Sequence, residues 1–313
     1  LSALTDIAAL YAGNAWLFAG SVFVLGLAVG SFLNVVIYRL PRMLERSWRA
    51  EAETVLATGD TPGDRDTREA VVASRPSAFN LFTPRSSCTH CQAPIKPWHN
   101  IPVVSWLWLR GRCAACQAPI SIRYPLVELA TAALSAAVAW RFGFDPVCAC
   151  ALGVTWALIA LTGIDIDHQL LPDGITLPLM WAGLLASVVI GASGSALPVS
   201  PRDAIIGAAA GYLSLWLIYH AFRLATGKEG MGYGDFKLYA ALGAWLGWKI
   251  LPLVILLSAA TGAVLGIALI LLRGRNRSQP IPFGPYLAAA GWLAMLYGNS
   301  LLEGYLRLSG INR

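Results

Sequence analysis

Apolar residues fall in runs of about 20 separated by polar junctions, and a run of that length suffices to cross the hydrocarbon of a bilayer as a helix. The pattern predicts spans near residues 16–38, 124–141, 147–164, 174–194, 203–225, 235–248, 250–273 and 283–306, the sixth being short. No basic segment with a small-residue cleavage site precedes the first run after Leu1, so that run is read as a permanent span. Residues 42–86 hold most of the charge of the long polar stretch between the first two spans. They predict a short amphipathic helix near 43–57 lying on the membrane, then a flexible Gly/Pro/Asp/Thr turn at 58–67.

Composition agrees with this pattern. Hydrophobic residues make up 57% of the 313 and charged ones 13%, against about 25% charged in soluble domains. The net charge of +6 raises nucleic acid as a partner, but in a membrane protein the placement of Lys and Arg mainly encodes orientation, and nucleic acid is set aside. Eight alternating spans put 18 of the 23 Lys and Arg on the side of loop 39–123, which the positive-inside rule assigns to the cytoplasm.

That loop carries two knuckles, Cys88-Thr89-His90-Cys91 and Cys113-Ala114-Ala115-Cys116, each running on as Gln-Ala-Pro-Ile, an internal repeat of period 25. Cys88, Cys91, Cys113 and Cys116 supply the four thiolates of a tetrahedral, closed and therefore structural Zn2+ site, which leaves His90 and His99 unneeded as ligands. Two disulfides are the alternative, favoured only in an oxidising compartment. Cys148 and Cys150, two apart in the third span, read as membrane-buried thiols of no special role.

An ionisable side chain at the bilayer centre costs about 2.5–3.5 kcal/mol on insertion scales and is usually retained for function. One stands in Met231-Gly232-Tyr233-Gly234-Asp235-Phe236-Lys237, where a polar loop enters a span, and its candidate partner in Gly163-Ile164-Asp165-Ile166-Asp167-His168. Two carboxylates brought together share a proton, and one can then activate water while the other polarises a carbonyl, as in aspartic proteases. Asp165 and Asp167 point about 200° apart on a helix, so one of them faces Asp235; Asp165, nearer the apolar run, is chosen. Asp173 reads as an N-cap, and Gly232 and Gly234 as residues that let the chain bend sharply and approach substrate closely before the helix begins. Asn34 is a packing or a substrate contact, and Glu128 touches substrate or locks helices together.

At these residues the chain resembles the type IV prepilin peptidases, bifunctional leader peptidases and N-methyltransferases of bacterial type IV pilus and type II secretion systems. The resemblance covers nearly the whole chain and is carried by Gly30-Ser31-Phe32-Leu33-Asn34, the double Cys-x-x-Cys loop, Arg123-Tyr124-Pro125-Leu126-Val127-Glu128, Asp165 to Asp173, Gly232 to Lys237 and Ile281-Pro282-Phe283-Gly284-Pro285. It implies a multi-pass aspartic peptidase of the bacterial inner membrane, its active site facing the cytoplasm and its two essential aspartates at Asp165 and Asp235. It also implies the substrates, prepilins and pseudopilins whose short basic leader is cut after Gly. The new amino terminus, usually Phe, is then methylated from S-adenosylmethionine. The residues that hold this donor are not identified, and prepilin and methyl transfer rest on the resemblance alone.

The expected protein is thus an all-α polytopic membrane protein of about eight transmembrane helices, embedded in lipid, with a cytoplasmic zinc-knuckle loop. Its parts are a first helix at 1–38, the loop at 39–123 and a membrane aspartic peptidase core at 124–313. A transporter, which would carry midplane carboxylates in two repeated halves, and a membrane-anchored zinc scaffold are the competing readings.

Overall fold

The computed structural model describes residues 2–57, 79–190, 199–273 and 282–308. Among them the chain is helical: α1 (Ser2–Gly13), α2 (Ala15–Ala57), α3 (Val104–Trp108), α4 (Arg123–Phe142), α5 (Pro146–His168), α6 (Asp173–Val189), α7 (Pro201–Thr226), α8 (Tyr233–Leu246), α9 (Leu251–Arg273) and α10 (Gly284–Leu308). Each predicted apolar run falls on one of these helices, but four stretches of the described residues are long and apolar enough to cross a membrane: Ala15–Leu56, Pro146–His168, Pro201–Thr226 and Trp248–Ala268. Several long apolar helices therefore stand, with four and not eight candidate spans among the described residues. The shortfall has physical causes. With 14 residues, α8 rises only about 21 Å, less than the roughly 30 Å of hydrocarbon; α4 includes Arg123, Glu128 and Arg141; and α6 is apolar but short.

The amphipathic helix expected near 43–57 is not a separate element. α2 runs unbroken for 43 residues with Pro41 inside it. Proline removes one backbone donor, and the Glu- and Arg-rich sequence beyond it has good helix propensity and carries the helix on. The turn expected at 58–67 lies outside the described residues.

The chain forms two compact units, one comprising Leu1–Gly26 with Ala130–Arg313, the other Leu27–Leu129. In the first, α8 is the buried centre: Phe236, Leu238, Ala241, Leu242 and Ala244 are almost wholly inaccessible. It packs against α6, α7 and α10. Its fit against α7 depends on missing side chains. A Cβ on Gly207 would collide with the backbone of Gly243, and one on Gly211 would stand 2.6 Å from the Tyr239 carbonyl oxygen. Small residues four apart let the two backbones touch, as in other close-packed membrane helices. Polar tips are spent inside the same unit: Tyr239 donates to the Leu251 carbonyl (2.6 Å) and Trp245 Nε1 to that of Leu179 (2.9 Å). Cys148 is buried and Cys150 half-buried on α5.

In the second unit, Arg39 of α2 is buried and donates to the carbonyls of Asn80 (3.0 Å) and Pro84 (2.7 Å), pinning the start of the described loop. Asn34 Nδ2 donates to the Tyr124 carbonyl over 3.0 Å, a packing contact between α2 and the start of α4.

Candidate active site and metal centre

α5 ends just beyond its carboxylates. Gln169 adopts the left-handed conformation (φ 51°), and its N–H donates to the Asp165 carbonyl at 2.9 Å, an αL stop that does not require glycine. Asp165 retains only 5% of its surface and Asp167 is exposed, as two positions about 200° apart on one helix should be.

Asp235 lies in the first turn of α8, 6% exposed, and its Oδ1 is buried with no hydrogen-bond partner among the described residues. The Asp165 carboxylate is near enough for its charge to act on Asp235. The two helix ends are drawn together by Leu171, in the link between α5 and α6. A Cβ on Gly234 would stand 2.7 Å from Leu171 Cβ; one on Gly284 would stand 2.6 Å from Asp165 Oδ2 and 3.2 Å from Leu171 Cδ2. At the start of α10 the free N–H of Gly284 donates to Asp165 Oδ2 at 3.0 Å, one of the helix-end donors that lack an intrahelical partner.

Two sequence expectations change here. Gly232 has an ordinary extended backbone (φ −82°), so it makes no glycine-only bend, and Gly234 is needed for the close approach of Leu171. Asp173 is not the N-cap of α6; Pro172 holds that position without a side-chain cap. Instead, both carboxylate oxygens of Asp173 receive Lys237 Nζ, at 2.6 and 2.7 Å, tying the start of α6 to α8 two residues beyond Asp235. Leu171, Gly284 and Lys237 had no role in the residue-level reading. Only the glycine between prolines, Pro282-Phe283-Gly284-Pro285 ahead of an apolar run, signalled a close approach.

The two knuckles are structural as well as sequence repeats. In the first, Cys88 N–H donates to Ala93 O, Gln92 N–H to Cys88 O and Ile95 N–H to Ser86 O; in the second, the same bonds recur 25 residues on, Cys113 to Ala118, Gln117 to Cys113 and Ile120 to Gly111. Gln92 and Gln117 both take positive φ, 58° and 60°. The four sulfurs lie within 4.8 Å of one another, Cys88 Sγ to Cys116 Sγ being 3.8 Å, and all six cysteines are free. A tetrahedron of 2.3 Å metal–sulfur bonds has edges of about 3.8 Å, so the set fits a thiolate-bound metal ion. Its electrostatics fit too. The N–H groups of Cys91 and His90 lower the Cys88 thiol to about 6. At Cys116 the Ala118 N–H also favours the thiolate, but the hydrogen bond to Cys91, desolvation and the hydrogen bonds to Cys113 and Cys88 outweigh it and push the thiol up to about 11. Four crowded sulfurs cannot all ionise without a cation among them.

Glu128 is one of the locks left open by the sequence. Buried on α4, it accepts the Val103 N–H at 2.7 Å and hydrogen-bonds Ser31 of α2, so all its described contacts are within the fold.

The sequence profile described as "Bacterial Peptidase A24 N-terminal domain" matches residues 24–142, and that described as "Type IV leader peptidase family" matches residues 152–267. Among curated relatives, a prepilin leader peptidase/N-methyltransferase of Aeromonas hydrophila is 56% identical over 94% of this chain and 96% of its own. Relatives of the same description from Pseudomonas aeruginosa and Legionella pneumophila are 52% and 43% identical, over 91% and 96% of this chain and 92% and 98% of theirs. No solved structure matches.

Proposed function

Given that the chain belongs to the type IV leader peptidase family, we propose that it removes the leader from prepilins and pseudopilins in a bacterial inner membrane and methylates the new amino terminus, with Asp165 and Asp235 as its catalytic pair. The supporting observation is the buried Asp235 Oδ1 that, beside Asp165, has no hydrogen-bond partner among the described residues. A buried, unsatisfied carboxylate oxygen costs free energy, and a substrate carbonyl or an attacking water would satisfy it. A transporter or a zinc scaffold leaves this cost unexplained.

The pair holds one proton between two carboxylates. The ionised partner takes a proton from water as its oxygen bonds to the scissile carbon, and the protonated partner donates to the carbonyl oxygen. Collapse of the tetrahedral intermediate breaks the C–N bond: the proton gained from water passes to the leaving nitrogen, and the proton lent to the carbonyl oxygen returns to the aspartate that gave it. The Gly284 N–H holds Asp165 in register throughout. Both aspartates, and the loop with its knuckles, face the cytoplasm in this reading, where a basic leader is retained.

Methyl transfer draws on an electrophilic sulfonium methyl of S-adenosylmethionine; its acceptor is the neutral amine released by cleavage. Cys88, Cys91, Cys113 and Cys116 hold Zn2+ in a closed site that supports the loop and leaves no position for substrate.

Mass spectrometry of a prepilin incubated with the purified protein tests the function. Loss of the leader is expected without S-adenosylmethionine, and the added mass of a methyl group with it. Prepilin left intact by zinc-loaded, folded protein would overturn the reading.

A further inference from the structure

Between the knuckles the chain makes a 3-10 turn, Pro97–Asn100, and then α3, none of whose residues is buried. Trp98, Ile101, Val104, Leu107 and Trp108 are 55, 46, 54, 62 and 79% exposed. Val104, Leu107 and Trp108 stand three and four residues apart on α3, and Trp98 and Trp108 line one cavity of about 260 Å3 that joins the 3-10 turn to the helix. This is no frayed segment. On the opposite side Trp106 Nε1 donates to the Ile120 carbonyl at 3.2 Å, and the Val103 N–H is held by Glu128. Val103 is a β-branched residue at φ 59°, a conformation that surrounding contacts must impose.

We infer that residues 97–109 form an interfacial anchor, a two-tryptophan wedge that enters the headgroup layer of the membrane and seats the cysteine knuckles on it. Three observations favour lipid as the occupant. Trp98 and Trp108 flank the wedge, and indole rings concentrate at the headgroup level. Lys96 precedes it and Arg110 and Arg112 follow, all exposed, with Lys96 Nζ 5.4 Å over the Trp98 ring; these cations suit anionic headgroups and would repel a basic peptide. Finally, Glu128, which holds Val103, lies one turn beyond Tyr124, whose carbonyl is bonded by Asn34 of α2, a helix apolar and long enough to cross the membrane. The wedge is thereby fixed to the junction of α2 with the start of α4. None of this rests on the chemistry of the aspartates.

The full chain, zinc-loaded, is reconstituted in phosphatidylethanolamine–phosphatidylglycerol bilayers with bromine on the acyl chains near the headgroups. Emission is compared between the wild type and Trp98→Phe/Trp108→Phe, a change that keeps the surface apolar; retained zinc and leader cleavage show that it folds. The emission lost on substitution, which belongs to Trp98 and Trp108, should be quenched about twofold or more by brominated lipid and little by aqueous iodide. In Val104→Asp/Leu107→Asp the same two residues should become open to iodide. Quenching of the difference emission by iodide but not by brominated lipid would overturn the anchor, leaving the face to a soluble ligand or a peptide; so would lipid quenching undiminished by the two aspartates.

Discussion

The backbone N–H of Gly284 donates to Oδ2 of Asp165 over 3.0 Å, joining residues 119 apart in the chain. The start of α10 therefore aims a free donor, and the positive end of its dipole, at one carboxylate of the candidate pair. A methyl group at position 284 would stand 2.6 Å from that oxygen, with Leu171 Cδ2 close beside it. Because the neighbours are packed, the carboxylate must turn. Gly284→Ala should lower kcat for leader removal about 100-fold, the order of loss that follows a displacement of about 1 Å, with KM little changed. Zinc content should match the wild type. Normal turnover in this variant would mean that Gly284 does not position Asp165.

Asp165→Asn and Asp235→Asn should each reduce cleavage by about 10^3-fold or more while the protein still inserts and accumulates, because an amide neither takes a proton from water nor shares one. Asp167 is exposed on another face of α5, and Asp167→Asn should stay within a few-fold of wild type. Methyl transfer needs chiefly alignment of the amine with the methyl group. Asp235→Asn should therefore still methylate a peptide supplied without its leader, as read by mass. Loss of both reactions in a folded Asp235→Asn protein would show that the aspartates serve both.

Much of this was legible because it depends on local rules. Apolar runs located the helices, and the 25-residue repeat of Cys-x-x-Cys announced two knuckles whose hydrogen bonds repeat at the same interval. The rotation of about 200° between Asp165 and Asp167 meant that only one could be buried beside Asp235, and nearness to the apolar run favoured Asp165. What escaped depends on which side chains meet. Asp173 has the composition of an N-cap, yet Lys237, 64 residues away, claims it. Gly232 and Gly234 look like bend residues, but the requirement at Gly234 comes from Leu171, which no periodicity identifies. Four candidate spans and not eight stand out among the described residues, in part because α8, apolar enough to resemble one, has only 14 residues; its apolar surface is buried against other helices.

The cysteine site should respond to metal removal and to pH with a definite sign. Without metal, Cys88 is held at about 6 and Cys116 at about 11, so at pH 7.5 binding must displace the proton from Cys116. Zinc uptake should therefore release protons, detectable with an indicator dye. As pH falls through about 6, Cys88 is protonated as well, and retention of zinc should drop steeply there, not at higher pH. Cys113→Ser should lower zinc content and open loop 79–123 to proteolysis before the helices unfold. Metal analysis finding no zinc in protein purified without chelator would overturn the assignment.

The Asp173–Lys237 pair should matter for turnover more than for stability. Its side chains are 57% and 27% exposed, and an ion pair so placed is worth about 0–1 kcal/mol. Its position gives it a different importance. Asp173 is joined to Leu171 through Pro172, whose carbonyl accepts the N–H groups of Ile175 and Thr176 at 3.0 and 3.1 Å, so the three residues lead rigidly into α6. Fastening Asp173 to Lys237 holds Leu171 against Gly234 and Gly284, the neighbours of Asp235 and Asp165 respectively. Asp173→Ala or Lys237→Met should thus lower kcat about tenfold, in keeping with a modest misplacement of the carboxylates, while shifting the thermal midpoint only slightly. The exchanged pair, Asp173→Lys with Lys237→Asp, should recover most of the lost turnover, because the clasp needs opposite charges and not a particular order. If the exchanged protein is no better than either single variant, Lys237 acts on the site directly and not through Asp173; if both single variants cleave at the wild-type rate, the pair has no part in positioning the aspartates.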